Sequence, residues 1–300
     1  MNSSLVDAVQ KFREIAVKYN SESLDFNLCN GYIVQSTRAS IESCFDEENI
    51  VILTRKGDIP VITTWTGKQP ITLIGRLVSN FPGKRIVIKN VDEKIKGSLS
   101  ILGFKDYGEY DSWDAASKYD DNSYPELVLN TEKLVSLEGS EFQSLREDLN
   151  RFNREYNISV EEFSNFDFSL IQELFTTWIS SMSDRNGWAE RQLVDSTKVL
   201  FTNQYGIKNY IIKDELNGRV IGWMNFSECS KKCLGFNVLV NDFEYYNLYR
   251  IMILKACGIA QELGYEYLNI QGSEDEGQYI SKLRMKPEVQ LKKVHMVHGI

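Results

Sequence analysis

Residues 265–287 read YEYLNIQGSEDEGQYISKLRMKP. The stretch opens as a short strand carrying Tyr265, Tyr267 and Ile270, and Gly272 breaks it. Three carboxylates follow without interruption: Glu274, Asp275 and Glu276. After Gly277 the sign reverses, and Lys282, Arg284 and Lys286 precede Pro287. An acidic triplet between two glycines, followed at once by a basic cluster, suits a site that handles a charged substrate at a strand's end. The same charge run also suits a solvated loop leading into a surface helix.

Working outward, residues 248–263 repeat apolar side chains at helical spacing (Leu248, Ile251, Met252, Ala256, Ile259, Leu263). Upstream, Tyr210–Lys213 and Val220–Phe226 are strands around Asn217-Gly218, a strong hairpin signal, and Leu234–Val240 is a third strand. Phe168–Ser180 reads as a helix. Trp188, in the glycine-bearing loop 184–193, is either a lid or ordinary packing.

A second informative stretch is 124–156, YPELVLNTEKLVSLEGSEFQSLREDLNRFNREY. Thr131 opens a short helix, Gly139 breaks it and Ser140 caps the next. In that next helix Phe142, Leu145, Leu149, Phe152 and Tyr156 share one face. Arg146, Arg151 and Arg154 fall on its flank. Their forks suit phosphate contact, but Glu141, Glu147, Asp148 and Glu155 bring the helix close to neutrality.

These two stretches, far apart and in this order, resemble the family of the phosphatidylglycerol lysyltransferase catalytic domain and its free-standing relatives. The first matches a family pattern of N-(I/L), a Gly/Ser/acidic loop, a Gly and a K-x-(R/K)-x-x-P run. The second matches an L..L.G..(Y/F)..LR..(L/I)N.F...Y segment. The resemblance implies an α+β fold of tandem acetyltransferase-like (GNAT) domains, each a mixed, mostly antiparallel sheet flanked by helices. It implies residues 1–130 as the first such domain, 131–157 as linking helices and 158–300 as the catalytic domain. It also implies an enzyme, since the family's lipid-modifying members transfer an amino acid from aminoacyl-tRNA.

The first half fits that arrangement. Leu5–Tyr19 has Leu5, Ala8, Val9, Phe12, Ile15 and Ala16 on one helical face. Ile50–Thr54 and Ile59–Trp65 flank a Gly57-Asp58 turn, and Lys84–Ile88 is a further strand. Asp92 caps a helix that Gly103 ends.

Composition narrows the function classes. The chain has 300 residues, 42% hydrophobic, enough for two cores. No apolar run approaches the roughly 18 residues of a membrane span, so no integral membrane segment is expected. The N-terminus is amphipathic and charged rather than a signal peptide, which predicts a cytoplasmic protein. That favours a peptide, small amine or hydroxyl metabolite as acceptor over a bilayer lipid. Five cysteines without framework spacing read as reduced thiols, and two histidines near the C-terminus give no metal set. Net charge is −8, yet residues 278–300 hold five Lys/Arg (282, 284, 286, 292 and 293) against Glu288 alone. This is an acidic body with a basic mouth, suited to gripping one end of an RNA.

Acetyltransferases of this fold that use coenzyme A bind its pyrophosphate on a glycine-rich turn before the helix, where backbone N–H groups need bare glycine to approach. The corresponding segment here, VNDFEYYNLYRIMIL (240–254), has no glycine and adds Asp242 and Glu244. No coenzyme is therefore expected, and charged tRNA is the expected donor substrate. Aminolysis of its ester needs no covalent intermediate, and neither G-x-S-x-G nor a histidine outside the tail is present to form one. Asp275 or Glu274 would orient or deprotonate the acceptor amine, or bind the α-ammonium of the carried amino acid. Lys282 and Arg284 would stabilise the oxyanion or bind terminal phosphates, while Arg146, Arg151, Lys286 and Trp188 would contact substrate or tRNA. The rival readings are an acyl-CoA-dependent N-acyltransferase and a non-catalytic binding module of the same fold.

Overall fold

The computed structural model describes residues 5–37, 42–106, 124–163, 169–181, 205–273 and 276–299. Two mostly antiparallel sheets carry the chain. The first holds six strands in the order β1-β2-β3-β4-β13-β5: Glu42–Phe45, Asn49–Lys56, Ile59–Gly67, Ile86–Asp92, Lys293–His298 and Lys105–Asp106. The second holds seven in the order β12-β6-β11-β10-β9-β8-β7: Val289–Leu291, Glu126–Asn130, Tyr267–Asn269, Cys233–Asn241, Val220–Glu228, Lys208–Asp214 and Ile158–Phe163. This is the tandem acetyltransferase-like α+β fold.

The expected hairpins form. β2 and β3 pair antiparallel around Gly57, and β8 and β9 around Gly218, whose φ of 71° the turn requires. The continuous apolar run Ile50–Leu53 is buried on both faces of its sheet. Ile50 and Ile52 meet α1 (Leu5–Tyr19) and α2 (Asn30–Thr37), whereas Val51 and Leu53 meet α3 (Pro70–Ser79) and α4 (Glu93–Ile101). Asp92 caps α4 by accepting from Lys94 N.

In the second sheet one face packs on α5 (Thr131–Ser136), α6 (Gln143–Glu155) and α8 (Leu248–Glu262), through Leu134, Leu145, Phe152, Ile251 and Met252. The opposite face receives α7 (Ser169–Ser181) through Ile171, Leu174 and Phe175 against Ile211, Trp223 and Val240. α2 and α1 reach this second face too, because Val238 of β10 and Ile207 join the cluster of Phe12, Ile33 and Val34. α9 (Glu276–Leu283) follows β11.

Strand membership crosses the two halves. β6, which precedes the linking helices, lies in the second sheet between β11 and β12. β13, at the chain's end, lies in the first sheet between β4 and β5. Among the described residues no helix is long and apolar enough to cross a membrane.

Candidate functional site

β10 and β11 are parallel neighbours for three residue pairs only, Cys233–Tyr267, Leu234–Leu268 and Gly235–Asn269. β10 then bulges against β9 between Phe236 and Val238, and the two strands part. Gln271, at φ 62°, sends its side chain back across the opening. Its Nε2 donates to the carbonyls of Phe236 and Asn237, both at 2.6 Å. Carbonyls that lose a strand partner thus gain a side-chain donor.

The bulge turns Asn237 toward the first half of the chain. Its Oδ1 accepts from Ser227 Oγ at 2.9 Å and from Cys29 Sγ at 3.3 Å, and Ser227 Oγ accepts from Gly31 N at 2.8 Å. A Cβ on Gly31 would lie 2.1 Å from Asn237 Oδ1, so only glycine lets the first turn of α2 seat here. Asn30 Nδ2 donates to the Tyr205 carbonyl on the same side.

One step along the face that holds Ser227, Asn225 of β9 stands directly opposite Asn209 of β8. Both are buried, at 0% and 1% exposure, and neither amide has a hydrogen-bond partner for its oxygen or its nitrogen among the described residues. Asn237 Nδ2 and Ser273 Oγ are buried and unpartnered in the same sense. Leaving such groups unmade costs about 1–3 kcal/mol apiece.

On the other flank of the opening a buried charge cluster joins the sheets. Glu126 of β6 accepts from Phe26 N (3.2 Å) and Asn269 Nδ2 (2.9 Å). Lys293 of β13 meets Asp25 Oδ2 at 2.6 Å. Burial pushes the Glu126 carboxyl up to about 7, against the opposing pull of Lys293. Burial works against the Lys293 ammonium, but Asp25 and Glu126 outweigh it and the net shift is upward.

The expected site residues divide. Lys282, on α9, points inward, and its Nζ donates to the carbonyls of Ile270 (2.9 Å) and Gly272. It therefore clasps the turn that leaves β11. Glu274, Asp275 and Trp188 lie outside the described residues. Arg284 and Lys286 are exposed beyond the clasp. The Arg146 guanidinium donates to the carbonyls of Leu137 and Gly139 (2.7 Å for Gly139), which caps the α5–α6 turn. Arg151 is exposed, pairs with Glu155 at 2.9 Å, and stacks 4.3 Å from the ring centroid of Tyr246 in the segment before α8.

The single basic mouth expected from 278–300 is corrected by this arrangement. Lys282 and Lys293 are buried against carbonyls and carboxylates, and only Arg284, Lys286 and Lys292 face solvent. Strand and helix alternation turns neighbouring cations to opposite sides.

The segment before α8 is closed by its own groups. Asp242 is fully buried, bridges to Arg219 at 3.0 Å and accepts from Glu244 N at 2.9 Å. Asn247, at φ 59°, holds Asp148 Oδ1 at 2.7 Å, and its carbonyl accepts from Arg250 N and Ile251 N. Phe243 and Tyr246 project into solvent. Cys29, distant in sequence from Cys229 and Cys233, shares one apolar cluster with them and Phe26, and burial pushes the Cys229 thiol well up. Among the described residues no group of side chains could hold a metal ion.

A mostly antiparallel sheet with one parallel pair that opens beside a helix, present with a second sheet in one chain, defines a tandem acetyltransferase-like protein. The sequence model described as phosphatidylglycerol lysyltransferase, C-terminal, matches residues 110–284, more than half of the chain, and the chain belongs to that transferase family. A conserved protein of unknown function from Bacteroides thetaiotaomicron has the same fold, with a TM-score of 0.78 at 15% identity, over 99% of this chain and 98% of that one. The structure of L-PGS from Bacillus licheniformis aligns with a TM-score of 0.67 at 13% identity, over 97% and 91%. A tandem GNAT protein from the clavulanic acid biosynthesis pathway aligns at 0.53 and 8%, over 97% and 94%. No curated protein matches the sequence.

Sequence reading missed Glu126, Asn209, Asn225 and Asn237, and took Lys293 only as one cation of the basic run. A signal was present for Asn225, Asn237 and Glu126: each is a polar residue inside or opening a largely apolar strand, where asparagine and glutamate are depleted.

Proposed function

We propose that the protein transfers an amino acid from aminoacyl-tRNA to an amine or hydroxyl on a peptide or small metabolite, in the cytoplasm and without a coenzyme. The observation that carries this reading is the segment 242–247. In coenzyme-A enzymes the corresponding backbone N–H groups face a pyrophosphate. Here Glu244 N is bound by Asp242, and a phosphate approaching it would meet that buried carboxylate. An RNA-borne ester needs no such cradle. Membership of a lysyltransferase family supports the same kind of donor.

In this reaction the acceptor nitrogen or oxygen attacks the ester carbonyl carbon. The new C–N or C–O bond forms, the bond to the ribose oxygen breaks, and the acceptor's proton passes by way of a carboxylate to the leaving ribose hydroxyl. We assign that carboxylate to Asp275 or Glu274. Lys282 holds the turn that precedes them in the chain, since its Nζ donates to the carbonyls of Ile270 and Gly272. Arg284 and Lys286, exposed at the same end, and Arg151 with Tyr246 meet the RNA.

The test is incubation with a mixed pool of radiolabelled aminoacyl-tRNAs and cell extract, with and without ribonuclease. Label is expected to leave the RNA for another molecule only when the protein is present and the RNA intact. Label that stays on the RNA, together with tight binding of acetyl-CoA in calorimetry, would sink the reading.

A further inference from the structure

A run of hydrogen bonds leads from the buried carboxyl of Glu126 to the opening between β10 and β11. Glu126 Oε2 accepts from Asn269 Nδ2 at 2.9 Å, and Asn269 Oδ1 accepts from Gln271 N at 2.8 Å. Gln271 Nε2 then donates to the carbonyls of Phe236 and Asn237 across the opening. Asn269 Nδ2 also donates to the Leu24 carbonyl at 2.7 Å, an acceptor only, which fixes the orientation of this amide. β6 holds the main chain here as well: Leu127 N donates to the Gln271 carbonyl and Ile270 N donates to the Leu127 carbonyl. Gln271 needs that hold, because its φ of 62° lies in the left-handed region that a side chain adopts at a cost.

The carboxyl at the head of this run changes charge near neutrality. Burial raises it to about 7 and Asp25 pushes the same way, while Lys293 and the bonds from Asn269 and Phe26 N favour the ion. Among the described residues, Asp25 faces it from ahead of the turn Phe26–Leu28 and Lys293 from β13, and Asp92 of β4 adds to the field at Lys293. His295, further along β13, is engaged by Asn90 N at 3.2 Å. β11 and β12 meet Glu126 with Asn269 and Leu291, both uncharged. A carboxamide passes on what happens at its nitrogen. An N–H bond to an ionised oxygen is about twice as strong as one to a neutral oxygen, and the polarised amide then offers a more negative Oδ1 to the next donor. Loss of the Glu126 proton therefore tightens the Gln271 N–H bond on the far side of Asn269.

We infer that Glu126 is a positioning residue of the opening: through Asn269 it fixes Gln271, and its proton sets how firmly the parted strands are held. This role needs no contact between Glu126 and a substrate, and so no path for one. Its consequence for transfer rests on the function proposed above. Where the opening serves that reaction, transfer by the natural protein should gain on Glu126→Gln as pH rises through the titration of the carboxyl.

The experiment records nitrogen–proton NMR spectra and amide exchange of the full chain from pH 5.5 to 8, beside Glu126→Gln, which keeps an acceptor for Asn269 and cannot ionise. The Gln271 N–H is expected to move downfield with a midpoint near 7, and its protection against exchange to rise about twofold or more over the same range. Both changes should vanish in Glu126→Gln. The Leu216 N–H, bonded to Asp214 Oδ1 in the β8–β9 turn, should stay still in both proteins. Asp25→Asn keeps the acceptor for Asn27 N but removes a negative charge beside Glu126, so the midpoint should fall. A Gln271 signal indifferent to pH in the natural protein, a response that persists in Glu126→Gln, or a midpoint unmoved by Asp25→Asn would each overturn the inference. A shift without a gain in protection would overturn it too, since only the field of the charge would then reach Gln271. The two readings fail separately. The Gln271 response without transfer from any tRNA removes the reaction and leaves the positioning role. Transfer without that response removes the positioning role and leaves the reaction.

Discussion

At the scale of single residues, the informative cation is Lys282, which faces inward. Removing its ammonium by Lys282→Met keeps the aliphatic stem in place but strips the carbonyls of Ile270 and Gly272 of a buried donor. An unmade buried acceptor costs about 1–3 kcal/mol, so the Tm should fall and transfer with it. Arg284→Ala, at an exposed position, should leave the stability within about 0.5 kcal/mol and lower transfer alone. Equal Tm values for the natural protein and Lys282→Met would contradict the clasp. Glu126 makes a second, pH-dependent case. Its folded carboxyl titrates near 7, raised above its unfolded value because burial disfavours the charge. The folded state therefore binds more protons than the unfolded one between the two values, and stability must fall as pH rises through that window. Glu126→Gln keeps an acceptor for Phe26 N and Asn269 Nδ2, which both bond a single oxygen. A scan of Tm from pH 5 to 7.5 should show the natural protein losing stability relative to Glu126→Gln, and parallel curves would remove the assignment. Neither role was legible in the sequence. Lys282 reads there as one member of a basic run, because spacing says which residues share a helix and not which carbonyls the helix will meet.

At the scale of elements, the sequence says most where local physics decides. Asp92 as a cap, the Gly57 and Gly218 turns, and the apolar stripes of α1, α6 and α8 are all set by residues within a few positions of one another. What it leaves open is convergence. Cys29, Cys229 and Cys233 carry no spacing signal, yet α2 brings the first to the β9–β10 hairpin that holds the other two. Besides the packing of Ile33 and Val34, the docking of α2 includes one contact that no periodicity encodes, the close approach of Gly31 to Asn237. Gly31→Ala places a methyl 2.1 Å from Oδ1 of that asparagine. Either α2 lifts or Asn237 releases Ser227 and Cys29, and overpacking of this kind costs about 1–3 kcal/mol. The variant should melt earlier and lose transfer, whereas Gly97→Ala, on α4 with open space around its Cβ, should not. A normal Tm for Gly31→Ala would mean that α2 is free to shift and does not form a wall of the site.

At the scale of the whole molecule, the two sheets are tied by exchanged strands. β13 takes its hydrogen bonds from β4 and β5 of the first sheet, although the chain that delivers it has just left β12 in the second. β6 enters the second sheet ahead of the linking helices and separates β11 from β12. The charge cluster of Asp25, Glu126 and Lys293 lies across this exchange, with one member on each crossing strand. Tandem architecture follows from the order of sequence patterns, but the exchange does not, because β6 and β13 look like any short apolar strand until their partners are known. The consequence is thermodynamic. A fragment ending before β6, at residue 124, lacks the strand that separates β4 from β5, and Met296 is missing from the core that Ile88 and Phe104 help to form. Such a fragment should not fold alone, and a peptide of residues 287–300 added in trans should restore structure in it if β13 is the missing piece. The intact chain, in turn, should unfold in one calorimetric transition whose measured enthalpy equals the van't Hoff value. Two separated transitions, or a fragment of residues 1–124 that is folded without the peptide, would show that each sheet is stable without the other's strand, and the buried Glu126–Lys293 seam would then have no part in coupling them.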